Sequence, residues 1–182
     1  MDIAIIGGGA AGFMAAITAR KTNTKANVTI FERASKVLAK VEVTGGGRCN
    51  VTNSFAAITD LKQAYPRGDK LMKRLFNVFD YKDTYRWFEQ RGVPLVTQED
   101  ECVFPKAQDS LAIINCLTRQ AASLGVKISC RSQLKDIYHT ADGASNCTSG
   151  AEKNVTSTVL SLLLEALPMP ADWFIWHAWG TK

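Results

Sequence analysis

Three glycines near the start of the chain, Gly7, Gly9 and Gly12, fall at the first, third and sixth positions of G-x-G-x-x-G, and Glu32 lies twenty residues beyond the last. These residue types at this spacing suit a dinucleotide. Gly7 permits a tight turn out of a strand. Gly9 has no Cβ, so a pyrophosphate can approach the backbone, and Gly12 lets a helix pack close to a sheet. The free N–H groups and the positive end of that helix then face the phosphates. Glu32 can accept hydrogen bonds from ribose hydroxyls, and its charge would repel a 2′-phosphate. A glycine-rich turn that only packs a helix on a sheet accounts for Gly12 but not for three spaced glycines with an acid.

A second segment with chemical potential is Val43-Thr44-Gly45-Gly46-Gly47-Arg48-Cys49-Asn50-Val51-Thr52-Asn53. Its glycines leave backbone N–H groups free to wrap a ligand. Arg48 adds a cation, and Asn50, Thr52 and Asn53 add short donors and acceptors. In isolation the plainer reading is a flexible loop with a solvated arginine. Cys49 is read as a buried small thiol, with redox chemistry the alternative.

The elements that must hold these residues are legible nearby. Asp2 to Ile6 is an apolar strand, Phe13 to Arg20 an Ala-rich helix, and Val28 to Phe31 a second strand, together a βαβ unit. Ser35 to Asn53 reads as a loop and Asp60 to Gly92 as helical, with Leu71, Met72, Leu75, Phe76 and Phe79 at helical spacing. Asp80 can cap the next helix, whose apolar face is Tyr81, Tyr85 and Phe88, and Gly92 can end it. Val93 to Val96 is a short strand, and Val103 to Pro105 is extended. Asp109 or Ser110 caps a helix that Gly125 terminates. Val126 to Cys130 then adds a parallel strand to the first sheet, and Leu134 to Thr140 begins an antiparallel one.

The chain of 182 residues suits one domain or slightly more. Its 46% hydrophobic content is ordinary for a globular core, and its net charge of +5 is modest. Lys and Arg are dispersed apart from a loose cluster at Arg67 to Arg74, so nucleic acid is not an expected partner, while basic surface suits a phosphate-rich cofactor. No apolar run is long enough to span a bilayer and no signal peptide is evident, so no membrane partner is expected either. The five cysteines are odd in number, with no C-x-x-C or zinc spacing. That pattern points to a reducing cytoplasm and no metal.

The pair G-G-G-A-A-G and T-G-G-G-R-C-N-V-T-N resembles the BaiN/YhiN-like NAD(P)/FAD-dependent oxidoreductases, the aminoacetone-oxidase-like FAD-binding flavoproteins. Tyr65-Pro66-Arg67-Gly68, Phe88 to Val93, Val103-Phe104-Pro105 and Leu124-Gly125-Val126 are similar to that family as well, so the resemblance covers residues 1 to about 142. Lys40-Val41-Glu42-Val43 departs from the more basic lead usual there. The resemblance implies an α/β, Rossmann-like FAD-binding domain of glutathione-reductase type, incomplete, with a helical insertion at about 60–100. It implies FAD, with NAD(P)H as electron donor. Gly7, Gly9, Ala10, Ala11 and Gly12 would carry the pyrophosphate, and Glu32 with Arg33 the adenosine end. Gly45, Gly46, Gly47, Arg48 and Asn50 would run toward the flavin. The substrate is an unidentified small molecule, and no catalytic residue is assigned.

After Gly143 the character changes, and residues 143–182 are expected to be an atypical, poorly structured tail. Trp173, Trp176 and Trp179 crowd its end. Read one base out of frame, Ser161 to Pro168 can encode a Gly-Gly-Ser-Pro string of the kind the family carries, which suggests a frame slip between Gly143 and Ser161. The expected function is therefore an FAD-dependent oxidoreductase in a truncated, inactive copy. The alternatives are a non-enzymatic nucleotide-binding fragment of the βαβ unit and a redox-thiol protein using Cys49.

Overall fold

The computed structural model describes residues 1–139, 145–149, 154–157 and 159–162. Two apolar strands form the centre of the first sheet. β1 (Asp2–Ile6) buries Ile3, Ala4 and Ile5, and β2 (Asn27–Phe31) buries Val28 and Ile30. They pair in parallel from Asp2↔Asn27 to Ile6↔Phe31. A parallel pair requires a crossover, and α1 (Ala10–Thr22) supplies it with Phe13, Ala16 and Ile17 buried. Arg20 and Lys21 occupy its last turn, where cations favour the helix dipole. Arg20 also ties the residues leading into β2 to the residue that follows α6 (Leu111–Ser123). Its Nε donates to the Leu124 carbonyl (2.7 Å), and its Nη1 donates to the carbonyls of Ala26 (2.8 Å) and Thr24.

The described chain divides into two compact units, one of Met1–Ala39 with the described residues from Leu117 onward, the other of Lys40–Cys116. The division falls within α6 (Leu111–Ser123). In the first unit, Gly125 takes φ 71° at the end of α6, and the Gly125 and Val126 N–H groups donate to the carbonyls of Ala122 and Ala121 (2.9 and 3.0 Å). This left-handed exit launches β6 (Lys127–Ser129), which pairs in parallel with β2. β10 (Val159–Leu162) pairs in parallel with β1, giving the order β10-β1-β2-β6. β7 (Leu134–His139), β8 (Ser145–Ser149) and β9 (Asn154–Ser157) form a separate antiparallel sheet.

Three of these strands lie in the segment expected to be a poorly structured tail. Val159-Leu160-Ser161-Leu162 makes a mostly apolar run, as a strand in a parallel sheet does. Residues 163–182, with the tryptophan cluster, lie outside the described residues.

In the second unit a three-stranded antiparallel sheet has the order β3-β5-β4, from β3 (Thr52–Asn53), β5 (Cys102–Pro105) and β4 (Leu95–Thr97). The helical stretch is broken into α3 (Leu61–Ala64), α4 (Asp69–Phe76) and α5 (Tyr81–Glu89). Asp80 caps α5 as expected. Its carboxylate accepts from the Asp83 N–H (2.9 Å) while the Asp83 carboxylate accepts from the Asp80 N–H (3.0 Å), a reciprocal capping box. Phe55, Ala64 and Tyr65 form a buried cluster with Met72, Phe76 and Tyr81 against it. The Phe55 and Phe76 rings meet edge to face at 5.4 Å, an arrangement their quadrupoles favour.

Two hydrogen bonds clasp the ends of this unit. The Ser110 N–H donates to the Gly47 carbonyl and its Oγ to the Glu42 carbonyl, both at 2.9 Å. The segment expected as a loop at Ser35 to Asn53 contains α2 (Ala39–Gly47). Ala39, Lys40 and Glu42 are adequate helix formers, and the helix is interrupted where Thr44 turns extended and the glycines begin.

Candidate functional site

In the first unit the chain leaves β1 through Gly7, whose φ of 101° suits glycine. The Gly7 N–H donates to the Phe31 carbonyl (2.9 Å), binding the turn to the end of β2. α1 starts immediately after, with Gly9 as its N-cap. No side chain caps this helix, and its first turn carries no acid. Its initial N–H groups lack intrahelical acceptors, as in any helix, and the exposed Ala10 and Ala11 leave its end bare. Gly12 holds the helix against the turn. A Cβ there would stand 2.0 Å from the Gly7 carbonyl oxygen and 3.5 Å from Ile5 Cγ2. This cradle is shaped by missing side chains and lined by donors, and it fits a pyrophosphate.

Glu32 ends β2 beside this turn, only 9% exposed. Its Oε2 accepts from the Gly8 N–H and its Oε1 from the Ala34 N–H, both at 2.7 Å. The carboxylate therefore first fastens the glycine turn to the chain that follows β2. A carboxylate has about four lone-pair sites, so these two bonds leave acceptor capacity on each oxygen. Arg33, next along the chain, is exposed.

Sequence reasoning missed Gly8 and the segment over it. A Cβ on Gly8 would lie 2.7 Å from Val37 Cγ1 and 3.1 Å from Glu32 Cβ. The Leu38 N–H donates to the Gly8 carbonyl (2.8 Å), and Leu38 is itself buried with φ 58°. The unbroken Gly7-Gly8-Gly9 run was the available signal, since the fingerprint alone does not require a glycine at its second position.

In the second unit Gly45, Gly46 and Gly47 take φ of 57°, 67° and 84°, all left-handed. A Cβ on Gly45 would meet Phe104 Cε1 at 2.8 Å and the Asn50 nitrogen at 2.9 Å. Arg48 is held rather than freely solvated. Its Nε donates to the Gly45 carbonyl (3.0 Å), its Nη1 to Gln108 Oε1 (3.3 Å), and its guanidinium lies 4.2 Å from the Phe104 ring centroid. Asn50 Oδ1 is buried without a hydrogen-bond partner. An unsatisfied buried acceptor costs about 1–3 kcal/mol, so this oxygen is suited to a donor brought by a ligand.

The sequence-derived site residues thus form two groups. Gly7, Gly9, Ala10, Ala11, Gly12, Glu32 and Arg33 gather in the first unit, and Gly45, Gly46, Gly47, Arg48 and Asn50 in the second.

Cys49 is buried at φ 63°. Burial pushes its thiol up to about 11, against a smaller opposing effect of the Thr44 hydrogen bond. It is protonated at neutral pH and poorly suited to nucleophilic or redox work. Cys102 is also pushed up, by burial and the adjacent Asp100, with Asn50 and Arg48 pulling the other way. Among the described residues no three His, Cys, Asp or Glu side chains gather as a metal site, and no helix is long and apolar enough to cross a membrane.

Comparison with known proteins agrees with this geometry. The model of the HI0933-like protein Rossmann domain matches residues 1–170, beyond the residue 142 at which the motif resemblance ended. A 3-dehydro-bile acid delta(4,6)-reductase of Clostridium scindens is 29% identical over 126 residues, which are 69% of this chain and 30% of the reductase. The chain therefore aligns with under a third of that relative's length. Among solved structures, a 3-ketosteroid-delta4-(5alpha)-dehydrogenase from Rhodococcus jostii RHA1 superposes with a TM-score of 0.61 at 17% identity, over 87% of this chain and 45% of the other. THI4 of Thermovibrio ammonificans superposes with a TM-score of 0.53 at 13% identity, over 87% and 54%. These two likenesses concern the fold alone. A parallel sheet entered through a bare glycine turn, and a family match across nearly the whole chain, show that the protein belongs to the HI0933-like Rossmann-domain family, the BaiN/YhiN-like group of FAD-dependent oxidoreductases.

Proposed function

We propose that this chain binds FAD through the glycine turn of its first unit and forms the nucleotide end of a flavin-dependent oxidoreductase. The observation that carries the reading is the uncapped, acid-free start of α1 beside the Glu32 carboxylate. The N–H groups of that helix end would hold the pyrophosphate, with Gly7, Gly9 and Gly12 admitting it and Ala10 and Ala11 crowding nothing. Glu32 would accept from the ribose hydroxyls with the lone pairs that Gly8 and Ala34 leave unused, and Arg33 would add a cation at the adenosine end. Arg48, the Gly45–Gly47 backbone and the unsatisfied Asn50 oxygen would serve the flavin end. When bound, FAD supplies hydride acceptance and donation. The chain's own residues bind and orient.

NAD(P)H is the proposed electron donor. The reductase relative acts, by its name, on a 3-dehydro-bile acid, and a conjugated ketone on an apolar ring system is the proposed substrate class. The reducing cytoplasm is the proposed compartment. We assign no catalytic acid or base. The matched part is 30% of the reductase, and the chain by itself is proposed to keep the adenine half of the site and to turn over no substrate.

The test is purification of the chain with added FAD. Retained flavin absorbing near about 450 nm, or FAD binding by calorimetry that weakens in Glu32→Ala, supports the reading. A colourless protein that binds ADP but not FAD favours a non-enzymatic nucleotide-binding module. Failure to bind either nucleotide removes the proposal.

A further inference from the structure

The second unit carries an exposed apolar stripe beside a cluster of cations. α4 turns Met72 and Phe76 toward the Phe55–Tyr65 cluster. Leu71, Leu75, Val78 and Phe79 remain 59%, 49%, 82% and 40% exposed, and their spacing of four, seven and eight residues from Leu71 places them along one side of a helix and its exit. Lys70, Lys73 and Arg74 lie on α4, with Lys62 and Arg67 on the stretch leading to it. All five are exposed, and none is ion-paired among the described residues. Of the acids nearby, Asp60 caps α3 and Asp80 caps α5, while Asp69 in the first turn of α4 is the one acid against five cations between residues 62 and 74.

We propose that this stripe docks the chain peripherally on an anionic lipid surface, with Leu71, Leu75, Val78 and Phe79 entering the headgroup boundary and Lys70, Lys73 and Arg74 pairing with lipid phosphates. Apolar side chains flanked by cations on a short helix are the pattern of an interfacial segment, one that lies on a bilayer rather than spans it. Charge decides the class of partner. Free phosphate would engage the cations but leave four large apolar chains in water. A polypeptide would need a groove with an acidic rim to receive a convex stripe, whereas a deformable anionic interface receives it directly. The surface differs from the expectation of no membrane partner, which rested on the absence of a spanning run. It is independent of the FAD reading, because no residue of the proposed nucleotide site takes part.

The experiment is co-sedimentation of the full 182-residue chain with vesicles of phosphatidylcholine alone or mixed with phosphatidylglycerol, against a vesicle-free control. Each cation near an anionic surface contributes roughly a five-fold factor in partitioning, so the mixed vesicles should bind about 100-fold more strongly, and salt should weaken the binding. The triple variant Lys70→Gln, Lys73→Gln, Arg74→Gln should lose most of that preference. The double variant Leu71→Asp, Val78→Asp should lose at least about ten-fold with unchanged circular dichroism, since both positions are exposed. Equal binding to the two vesicle types, or binding that the double variant leaves intact, overturns the proposal. So does a chain that ignores vesicles but sediments as an oligomer that the double variant dissolves, which would assign the stripe to self-association.

Discussion

Replacing Gly12 by Ala should destabilise the protein, against the usual direction for a glycine inside a helix. Helix propensity alone favours the change by about 1 kcal/mol. Packing opposes it. The new Cβ would stand 2.0 Å from the Gly7 carbonyl oxygen, and relief to an ordinary contact needs a shift of over an ångström. Gly7 cannot yield easily, because its N–H is bonded to the Phe31 carbonyl at the end of β2. α1 must therefore lift from the turn, with Phe13, Ala16 and Ile17 on its buried face. Overpacking of this kind costs about 1–3 kcal/mol, sometimes more, and a backbone obstacle places it at the upper end. The net loss is about 2 kcal/mol, which lowers a urea midpoint by about 1 M. Urea unfolding followed by circular dichroism measures it. Gly46→Ala is the control, since it meets nothing within 4 Å and carries only the strain of φ 67°, about 1–2 kcal/mol. A Gly12→Ala protein as stable as the parent, or more so, would refute the argument that close helix-to-turn contact requires this glycine.

Glu32→Gln leaves one carbonyl oxygen for two N–H donors, Gly8 and Ala34, and should cost about 1.5–3 kcal/mol; an unchanged urea midpoint would contradict the assignment. Asp80→Ala removes one half of the capping box on α5 and should cost about 1 kcal/mol, seen as a melting temperature lower by about 2–4 °C. Cys49 is pushed up from 9.0 to about 11 by burial, so above pH 9 the unfolded chain releases a proton that the folded chain keeps. Stability contributed here is intact below pH 9 and declines as pH rises toward 11, by about 2–3 kcal/mol. Unfolding curves at stepped pH should show a shallower decline in Cys49→Ala, and identical slopes would place the thiol in water.

The βαβ unit was legible because its signals are local: an apolar run, spaced glycines, an Ala-rich helix, then an acid. Asp80 and Gly125 were legible for the same reason, since a cap and a left-handed exit are written in adjacent residues. The β3-β5-β4 sheet was not seen as a sheet. Its strands are two to four residues long, too short for a period, and β3 meets β5 across some fifty residues of chain. Helix was missed at Ala39 because Val41, Val43 and three glycines argue locally against it, while Glu42 is fixed from Ser110. Gly8 was missed because what fills the space beside it, Val37 and Glu32, comes from far along the chain. The five members of the helical pattern at Leu71 to Phe79 told of a helix correctly but of burial only in part, since periodicity reports a face and not what meets it, and Leu71, Leu75 and Phe79 stay exposed.

The Ser110 clasp bears on the order in which the molecule assembles. β2 and β6 are neighbours in the sheet, yet about 95 residues of chain separate them. Joining the ends of so long a free segment carries an entropic penalty of about 4 kcal/mol by the logarithmic rule. Once Ser110 is bonded to Glu42 and Gly47, the span left to close shrinks to about thirty residues, and the penalty falls by about 1 kcal/mol. By this estimate two hydrogen bonds within the second unit ease the pairing of β6 with β2, a kinetic shortcut as well as a brace.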